Sequence, residues 1–190
     1  MAAVVALVLA GLVGLVGSAN AAPSASFAAQ ARAQGLSATQ ELRLQERVDA
    51  YLTSLGGTQI APNEIAFNGA TLLVTVPGEQ HARDLSSPTS AAVTCPSGAF
   101  CGWEFDNFTG DTFTQFACGV KVTKVSHWWT ATGGSLQGSY FNNQTGHAVA
   151  RFYNSNNNEV RPSSTAVQKV STFAWGSSIA SVRVSYVIVC

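Results

Sequence analysis

The second half of the sequence predicts a mainly β fold, an all-β sandwich. From Val93 onward, short runs of β-branched and aromatic residues alternate with glycine and asparagine turns, without a helical period. About seven or eight short strands in roughly a hundred residues are typical of two packed antiparallel sheets. All the cysteines, four in number, lie in this half, and an even number behind an export signal indicates disulfides. The predicted strands are residues 112–116, 120–125, 139–142, 149–153, 166–170 and 179–189.

The first residues have the composition of an export signal. Residues 2–16 form an uninterrupted apolar run. This run is shorter than the ~20 residues that a membrane-spanning helix needs, and Ala19 and Ala21 fit a signal-peptidase site. We therefore expect residues 1–22 to be a signal peptide with a signal helix, and the mature protein to be extracellular and free of the membrane. No basic residue precedes Arg32, which leaves an uncleaved membrane anchor as the alternative.

A helix is predicted after a short spacer. Residues 23–36 are rich in Ala, Ser and Gln without periodicity, which indicates a flexible spacer. Ser37 and Gln40 match a capping box that opens a helix, and Gly56-Gly57 would end it. The apolar stripe of this helix consists of Leu42, Leu44, Val48, Tyr51, Leu52 and Leu55. The side chains expected to face water are Glu41, Arg43, Glu46, Arg47 and Asp49.

A β-hairpin follows the helix. The pair Asn68-Gly69 separates two apolar runs, which is a strong signal for a tight hairpin turn. Helix and hairpin together span residues 37–77, a segment too small to be expected to fold alone. This segment either leans on the C-terminal domain or is removed as a pro-region. Residues 78–92 are predicted to be a linker, and residues 93–190 to be a disulfide-bonded domain.

Residues 95–110 read CPSGAFCGWEFDNFTG, and this stretch carries a family resemblance. Trp103, Phe108 and Gly110 stand at aromatic-x4-aromatic-x-Gly spacing. That spacing suits a folded-over hairpin in which the aromatic rings pack together and glycine supplies a positive φ. The stretch resembles the Greek-key signature of the βγ-crystallin fold. With its two cysteines, it looks like the start of the actinomycete peptidase-inhibitor family I36.

The resemblance covers about residues 93–190 and implies a βγ-crystallin-like sandwich of two Greek keys. Residues 152–154 would open the second key and residues 174–182 would close it, although this copy lacks the glycine of the first. The calcium-binding run of many βγ-crystallins needs a leading pair of acidic or amide residues. The corresponding residues 134–139 and 176–181 lack that pair. We therefore expect no metal, and we interpret Glu104, Asp106 and Asp111 as solvated turn residues.

The resemblance also implies a disulfide pairing. Cys95 and Cys101 would close a tight loop ahead of the first hairpin, and Cys118 would be joined to Cys190. In the chain-entropy estimate, the short loop contributes roughly 2 kcal/mol and the long one about 4 kcal/mol. The pairings 95–118 with 101–190 and 95–190 with 101–118 also fit the sequence. The cysteine spacing argues against a zinc site, because no second close pair follows the first.

For function, the resemblance implies inhibition of a secreted metalloprotease. A monomer without a cofactor would place an exposed, extended loop in the protease cleft, and the loops around residues 133–138 and 154–158 are candidates. The founding inhibitor of the family has its second cysteine pair close together around the reactive loop. Here Cys118 and Cys190 lie far apart, so no reactive-site residue is carried over.

The alternative function is a non-inhibitory extracellular or cell-envelope module that binds glycan or protein. Aromatic residues in the strands could form its binding surface, although aromatics in such strands more commonly pack in the core. The aromatic residues concerned are Trp128, Trp129, Tyr140, Phe141 and Tyr153.

Other classes of function have little support in the sequence. The net charge is zero and only 11% of the residues are charged, so attraction to nucleic acid is not expected. His81, His127 and His147 lie in separate regions, and no catalytic motif accompanies them. We therefore expect a protein that is not an enzyme.

Overall fold

A computed structural model describes residues 24–87, 93–116, 118–123, 131–132, 135–136, 138–146, 148–164, 168–171 and 186–189. These residues form two α-helices and thirteen β-strands. The helices are α1 (Ser24–Ala33) and α2 (Ala38–Leu55). The strands are β1 (Thr58–Ala61), β2 (Glu64–Phe67), β3 (Ala70–Leu73), β4 (Ala99–Phe105), β5 (Thr109–Gln115), β6 (Lys121–Thr123), β7 (Ala131–Thr132), β8 (Ser135–Leu136), β9 (Ser139–Asn143), β10 (Ala150–Tyr153), β11 (Glu159–Ser164), β12 (Gln168–Val170) and β13 (Tyr186–Val189). The predicted signal peptide, residues 1–22, lies outside the described residues.

The fold is mainly β, as predicted. Seven strands form one antiparallel sheet in the order β1-β2-β3-β5-β4-β9-β12, and four form a second in the order β11-β10-β13-β6. Strands β7 and β8 pair with each other. The two larger sheets share one apolar core, since Tyr140 of the first and Phe152 of the second have ring centroids 5.1 Å apart. Within the described residues, neither helix is long and apolar enough to cross a membrane.

The flexible spacer predicted for residues 23–36 is wrong, because α1 occupies most of it. Half of the ten residues of α1 are alanine, the residue with the highest helix propensity. Ala31 and the following Leu36 are buried in the core, and Arg32 forms an ion pair with Glu41 of α2 at 2.7 Å. A helix that relies on alanine propensity has no apolar stripe, so hydrophobic periodicity does not detect it.

The second helix begins and ends as predicted. The Ser37 side chain accepts from the Gln40 backbone N–H, and the Gln40 side chain accepts in return from the Ser37 N–H. Gly56 caps the other end with φ of 74°. Leu44, Val48 and Tyr51 are buried. The prediction for Leu42 is wrong, since it is 66% exposed: residues two apart on a helix point to opposite sides.

The segment 37–77 is part of the large sheet. Asn68 and Gly69 both have positive φ, as the tight turn between β2 and β3 requires, which confirms the hairpin. Strand β3 then pairs with β5, from Ala70 opposite Gln115 to Leu73 opposite Thr112. The segment therefore packs on the C-terminal domain, and its removal as a pro-region stays a prediction.

The predicted linker, residues 78–92, is packed in its described part. Ala82 and Leu85 are buried, and the carbonyl of Gln80 accepts a 2.8 Å hydrogen bond from the Gly110 N–H. The linker prediction does not include this packing of these residues. Their apolar side chains are spaced too irregularly to indicate a strand or a helix, yet they cover the edge of the core.

The strands predicted after Val93 correspond to β5, β6, β9, β10, β12 and β13 over the described residues. Strands β4, β7 and β8 are not among the strands listed in the prediction, and neither is strand β11. Strand β11 contains Pro162, and a proline in the sequence argues against a strand because it cannot donate a ladder hydrogen bond. Strand β11 lies at the edge of its sheet, where that donor is not required.

Candidate functional site

The hairpin β4–β5 carries the aromatic and glycine signature. The rings of Trp103 and Phe108 meet edge to face with centroids 5.1 Å apart. Gly110 has φ of 81°, and a Cβ at this position would lie 2.7 Å from Cδ2 of Phe105. Both roles predicted for the signature, ring packing and a glycine with positive φ, are therefore confirmed. Gly110 also lets the Phe105 ring lie directly against the backbone.

The turn between these strands, Phe105–Thr109, has an unusual backbone. Asn107 and Phe108 have φ of 58° and 61°, in the left-handed region. A bulky residue such as Phe108 rarely adopts this conformation, which costs roughly 1–2 kcal/mol per residue. Such a turn persists only where the surrounding structure holds it.

Hydrogen bonds to strand β9 and to Ser171 hold the turn. The Ser139 hydroxyl donates to the Phe105 carbonyl at 2.7 Å and accepts from the Phe108 N–H at 2.9 Å. The Asn107 N–H donates to the carbonyl of Ser171 at 2.7 Å. Three backbone groups of the turn are therefore bonded to residues more than thirty positions away in the chain.

The turn is also held by the segment after β3 and by Gly138. His81 Nδ1 donates to the Phe108 carbonyl at 3.0 Å. The Asp106 carboxylate accepts from the Gly138 N–H at 2.9 Å. Asp106 is therefore part of the bracing of the turn, and the histidine predicted to lie in a linker contacts it directly.

A disulfide joins Cys95 to Cys101 beside this hairpin, as the family resemblance implies. The two alternative pairings are wrong, because both assign other partners to these cysteines. Cys118 is also disulfide-bonded, and no cysteine in the described part of the chain is free. Its predicted partner, Cys190, lies outside the described residues, so that pairing stays a prediction.

The disulfide belongs to a small apolar cluster on the same face of the sheet as the Trp103 ring. Cys95, Ala99, Cys101 and Trp103 are buried, and Phe108 and Phe141 pack against them. The Asn143 side-chain amide donates to the Cys95 carbonyl at 3.0 Å. The disulfide thus anchors the strand that leads into the turn.

An open cleft of about 550 Å³ lies beside the turn. The carboxylates of Glu79 and Asp106 give the cleft acidic character. Arg83 forms an ion pair with Glu79 at 2.9 Å and offsets the charge of that residue. Phe105 borders the cleft and is 46% exposed, which makes it one of the few exposed large apolar side chains in the described residues. The cleft is lined by Glu79, Gln80, His81, Phe105, Asp106, Asn107, Thr109 and Gly110.

Asp111 is not a solvated turn residue, and this prediction is wrong. It is fully buried. Both of its oxygens accept from Arg47 Nη2 at 2.7 Å, one also accepts from the Tyr51 hydroxyl at 2.6 Å, and the Thr75 N–H donates at 2.8 Å. Arg47, which is predicted to face water, instead forms an ion pair with the buried Asp111. These bonds tie α2 to the hairpin and satisfy the buried carboxylate.

A sequence signal for the buried Asp111 does exist. Residues two apart in a strand share a face, so Asp111 lies on the face of Phe113, which is expected to be buried. A carboxylate in that position needs a cationic partner, because burying an unpaired charge is costly. Strand alternation therefore indicates a buried acid, but it does not indicate that Arg47 is the partner.

Glu104 lies near Asp111 and its partners. It lines a cavity of about 450 Å³ with Arg47, Ala50, Tyr51 and Ser54. Burial raises the pKa of Glu104, and the negative charge of Asp111 raises it further. Both effects disfavour the ionised carboxylate. Glu104, Asp106 and Asp111 are thus not brought together as ligands, and the described residues contain no cluster of three or more potential metal ligands.

The remaining predicted residues fall in different places. Tyr140 is fully buried against Phe100 and Phe152, so it is a core residue. Phe141 is half-buried, with Lys169 Nζ 4.7 Å from its ring centroid. Trp128, Trp129, His127 and His147 lie outside the described residues.

Comparisons with protein-family models, with curated proteins and with solved structures find no match to this chain. The geometry of the hairpin, its disulfide and its turn is therefore the basis for a proposal about function.

Proposed function

We propose that the protein is a secreted peptidase inhibitor with a βγ-crystallin-like domain, and that it blocks an extracellular metalloprotease by filling the cleft with a rigid turn. The observation that carries this proposal is an exposed turn with a strained backbone that several distant segments hold in place. A contact element fixed before binding loses little conformational entropy on binding. Rigidity also protects a bound loop from cleavage.

The cysteines support the compartment in this proposal. The disulfide between Cys95 and Cys101 is consistent with an oxidising environment. The rings of Trp103 and Phe108 pack together and Gly110 has a positive φ, as the spacing of these residues predicts. Inhibition by a monomer without cofactor follows from the same resemblance and belongs to the proposal.

The loops that the structure describes favour a different mode of binding from the extended loop expected from the sequence. In the loop 154–158, the Asn154 side chain accepts from the N–H groups of Asn156 and Asn158 at 2.9 and 3.0 Å, and Asn157 has φ of 62°. This loop and Phe105–Thr109 are both tight turns. Neither presents an extended strand, so the protein would act as a rigid plug and not as a substrate-like segment.

The proposal is tested by titrating the purified, oxidised protein against a secreted thermolysin-like zinc protease while peptide hydrolysis is followed. We expect the rate to fall with a stoichiometric end point, and we expect a reduced and alkylated sample to inhibit more weakly. An unchanged rate at excess protein would contradict the proposal. If insoluble cell-wall material then retains the protein, the binding-module alternative replaces it.

A further inference from the structure

We infer that the contact element of the inhibitor is the turn Phe105–Thr109, with Phe105 as its anchor. In this inference, Phe105 enters an apolar pocket of the protease and Asp106 faces a cationic group at the rim of that pocket. The inference rests on the proposed function and adds the identity of the binding surface and the chemistry of the partner.

The Phe105 side chain is both accessible and fixed. It is 46% exposed, and its ring lies so close to Gly110 that a Cβ there would be 2.7 Å from Cδ2. The Phe105 carbonyl is held by the Ser139 hydroxyl. Aromatic side chains are enriched among the residues that dominate binding energy, and a fixed ring loses little entropy on binding.

The other described candidate loop lacks such an anchor. Residues 154–158 are Asn-Ser-Asn-Asn-Asn, so they offer no apolar side chain. The Asn154 side chain accepts hydrogen bonds from within the same loop, from the Asn156 and Asn158 N–H groups. The turn Phe105–Thr109 instead combines an exposed aromatic ring with bonds to His81, Gly138–Ser139 and Ser171.

The charge of the neighbouring cleft indicates the polar part of the partner. Glu79 and Asp106 line the cleft, and Arg83 pairs with Glu79. Asp106 accepts from the Gly138 N–H, a neutral donor, so its negative charge is not offset by that bond. A cationic group on the partner would complement this charge and speed association at low salt.

Two alanine variants test the anchor. Phe105→Ala removes the proposed anchor. Phe116→Ala is the matched control, because Phe116 lies beyond the opposite end of the same hairpin and is 61% exposed. We expect the inhibition constant against the thermolysin-like protease to rise about tenfold or more for Phe105→Ala. The control should stay within about twofold of the wild type, and thermal melting should show both variants folded.

A third variant tests the charge without removing a hydrogen bond. In Asp106→Asn, the amide oxygen still accepts from the Gly138 N–H, while the charge is lost. We expect slower association than for the wild type at low ionic strength and equal rates at high salt. This variant decides the question if Phe105→Ala fails to fold: association equal to the wild type at low salt would then overturn the inference.

The outcomes separate the inference from the proposed function. If the wild-type protein inhibits and folded Phe105→Ala inhibits equally well, the inference is overturned and the proposed function stands. If the wild-type protein does not inhibit at all, both are overturned. A loss in Phe105→Ala with an unchanged Phe116→Ala supports both.

Discussion

The two faces of the seven-stranded sheet are built differently. One face, here called the core face, contributes to a cluster of twenty buried residues that also includes α2 and the second sheet. The other, here called the disulfide face, has only four buried cluster residues in the described chain, and two of them are the bonded cysteines. The alternation of β4 separates the two, with Phe100 on the core face and Cys101 on the disulfide face.

The two faces of the sheet have different roles: the core face provides most of the stability, and the disulfide face holds the candidate contact element. The core face has enough apolar area to provide most of the free energy of folding. The disulfide face is too small for that, and a covalent link replaces missing burial. Phe108, and with it the turn Phe105–Thr109, packs on the disulfide face. The candidate contact element is therefore held by the disulfide face and by hydrogen bonds from distant segments, and not by the main core.

The largest effect is expected on the core face, from Phe113→Ala. Phe113 is fully buried, with its ring centroid 5.8 Å from that of Phe100. Truncation leaves a cavity and should lower the free energy of unfolding by about 3–5 kcal/mol. Guanidinium titration measures this loss. The control Phe116→Ala, three residues further on and exposed, should change it by less than about 0.5 kcal/mol, and equal losses in both variants would contradict the core assignment.

A smaller effect is expected on the disulfide face, from the double variant Cys95→Ser with Cys101→Ser. The loop closed by this disulfide is short, with a sequence separation of 6. The unfolded chain therefore gains little freedom when the bond is lost, and the free energy of unfolding should fall by about 2 kcal/mol. The same titration measures it. A loss as large as that of Phe113→Ala would show that the disulfide face carries more of the stability than its burial indicates.

The smallest effect is expected from Glu104→Gln, and it depends on pH. Burial and the charge of Asp111 raise the pKa of Glu104 in the folded protein above its ordinary value of 4.5. The folded state therefore binds this proton more tightly than the unfolded chain does. Stability from this group is present below pH 4.5 and is lost as the pH rises through the raised pKa.

Because glutamine stays neutral, Glu104→Gln should raise the melting temperature at pH 7, on the order of 1 °C. The difference from the wild type should vanish below pH 4.5. Glu46→Gln, an exposed position on α2, is the control and should leave the melting temperature unchanged. A Glu104→Gln variant that is less stable at pH 7 would contradict the raised pKa.

The parts of the fold that could be predicted depend on short-range interactions. The capping box of Ser37 and Gln40 and the Asn68-Gly69 turn both act through backbone groups a few residues away. The spacing of Trp103, Phe108 and Gly110 likewise concerns a single hairpin. Helix α1 was missed because its signal is alanine content and not periodicity.

The candidate site could be predicted only in part, because its bracing comes from distant residues. Phe108 is identifiable as a signature aromatic, yet its left-handed backbone depends on Ser139 and His81. The sequence shows no relation between these three residues. The exposure of Phe105 is also a tertiary property, because in an alternating strand the burial of an aromatic ring depends on what covers that face.

Local residue patterns fix where helix α2 begins and ends, where the hairpins turn and which residues alternate across the strands. These features follow from backbone hydrogen bonding and side-chain period within a few residues. Two further features depend on tertiary packing: β3 adds to β5, and Asp111 pairs with an arginine 64 positions earlier in the chain. The physical reason is that a buried charge or a sheet edge must be satisfied by whichever distant group the packing brings to it.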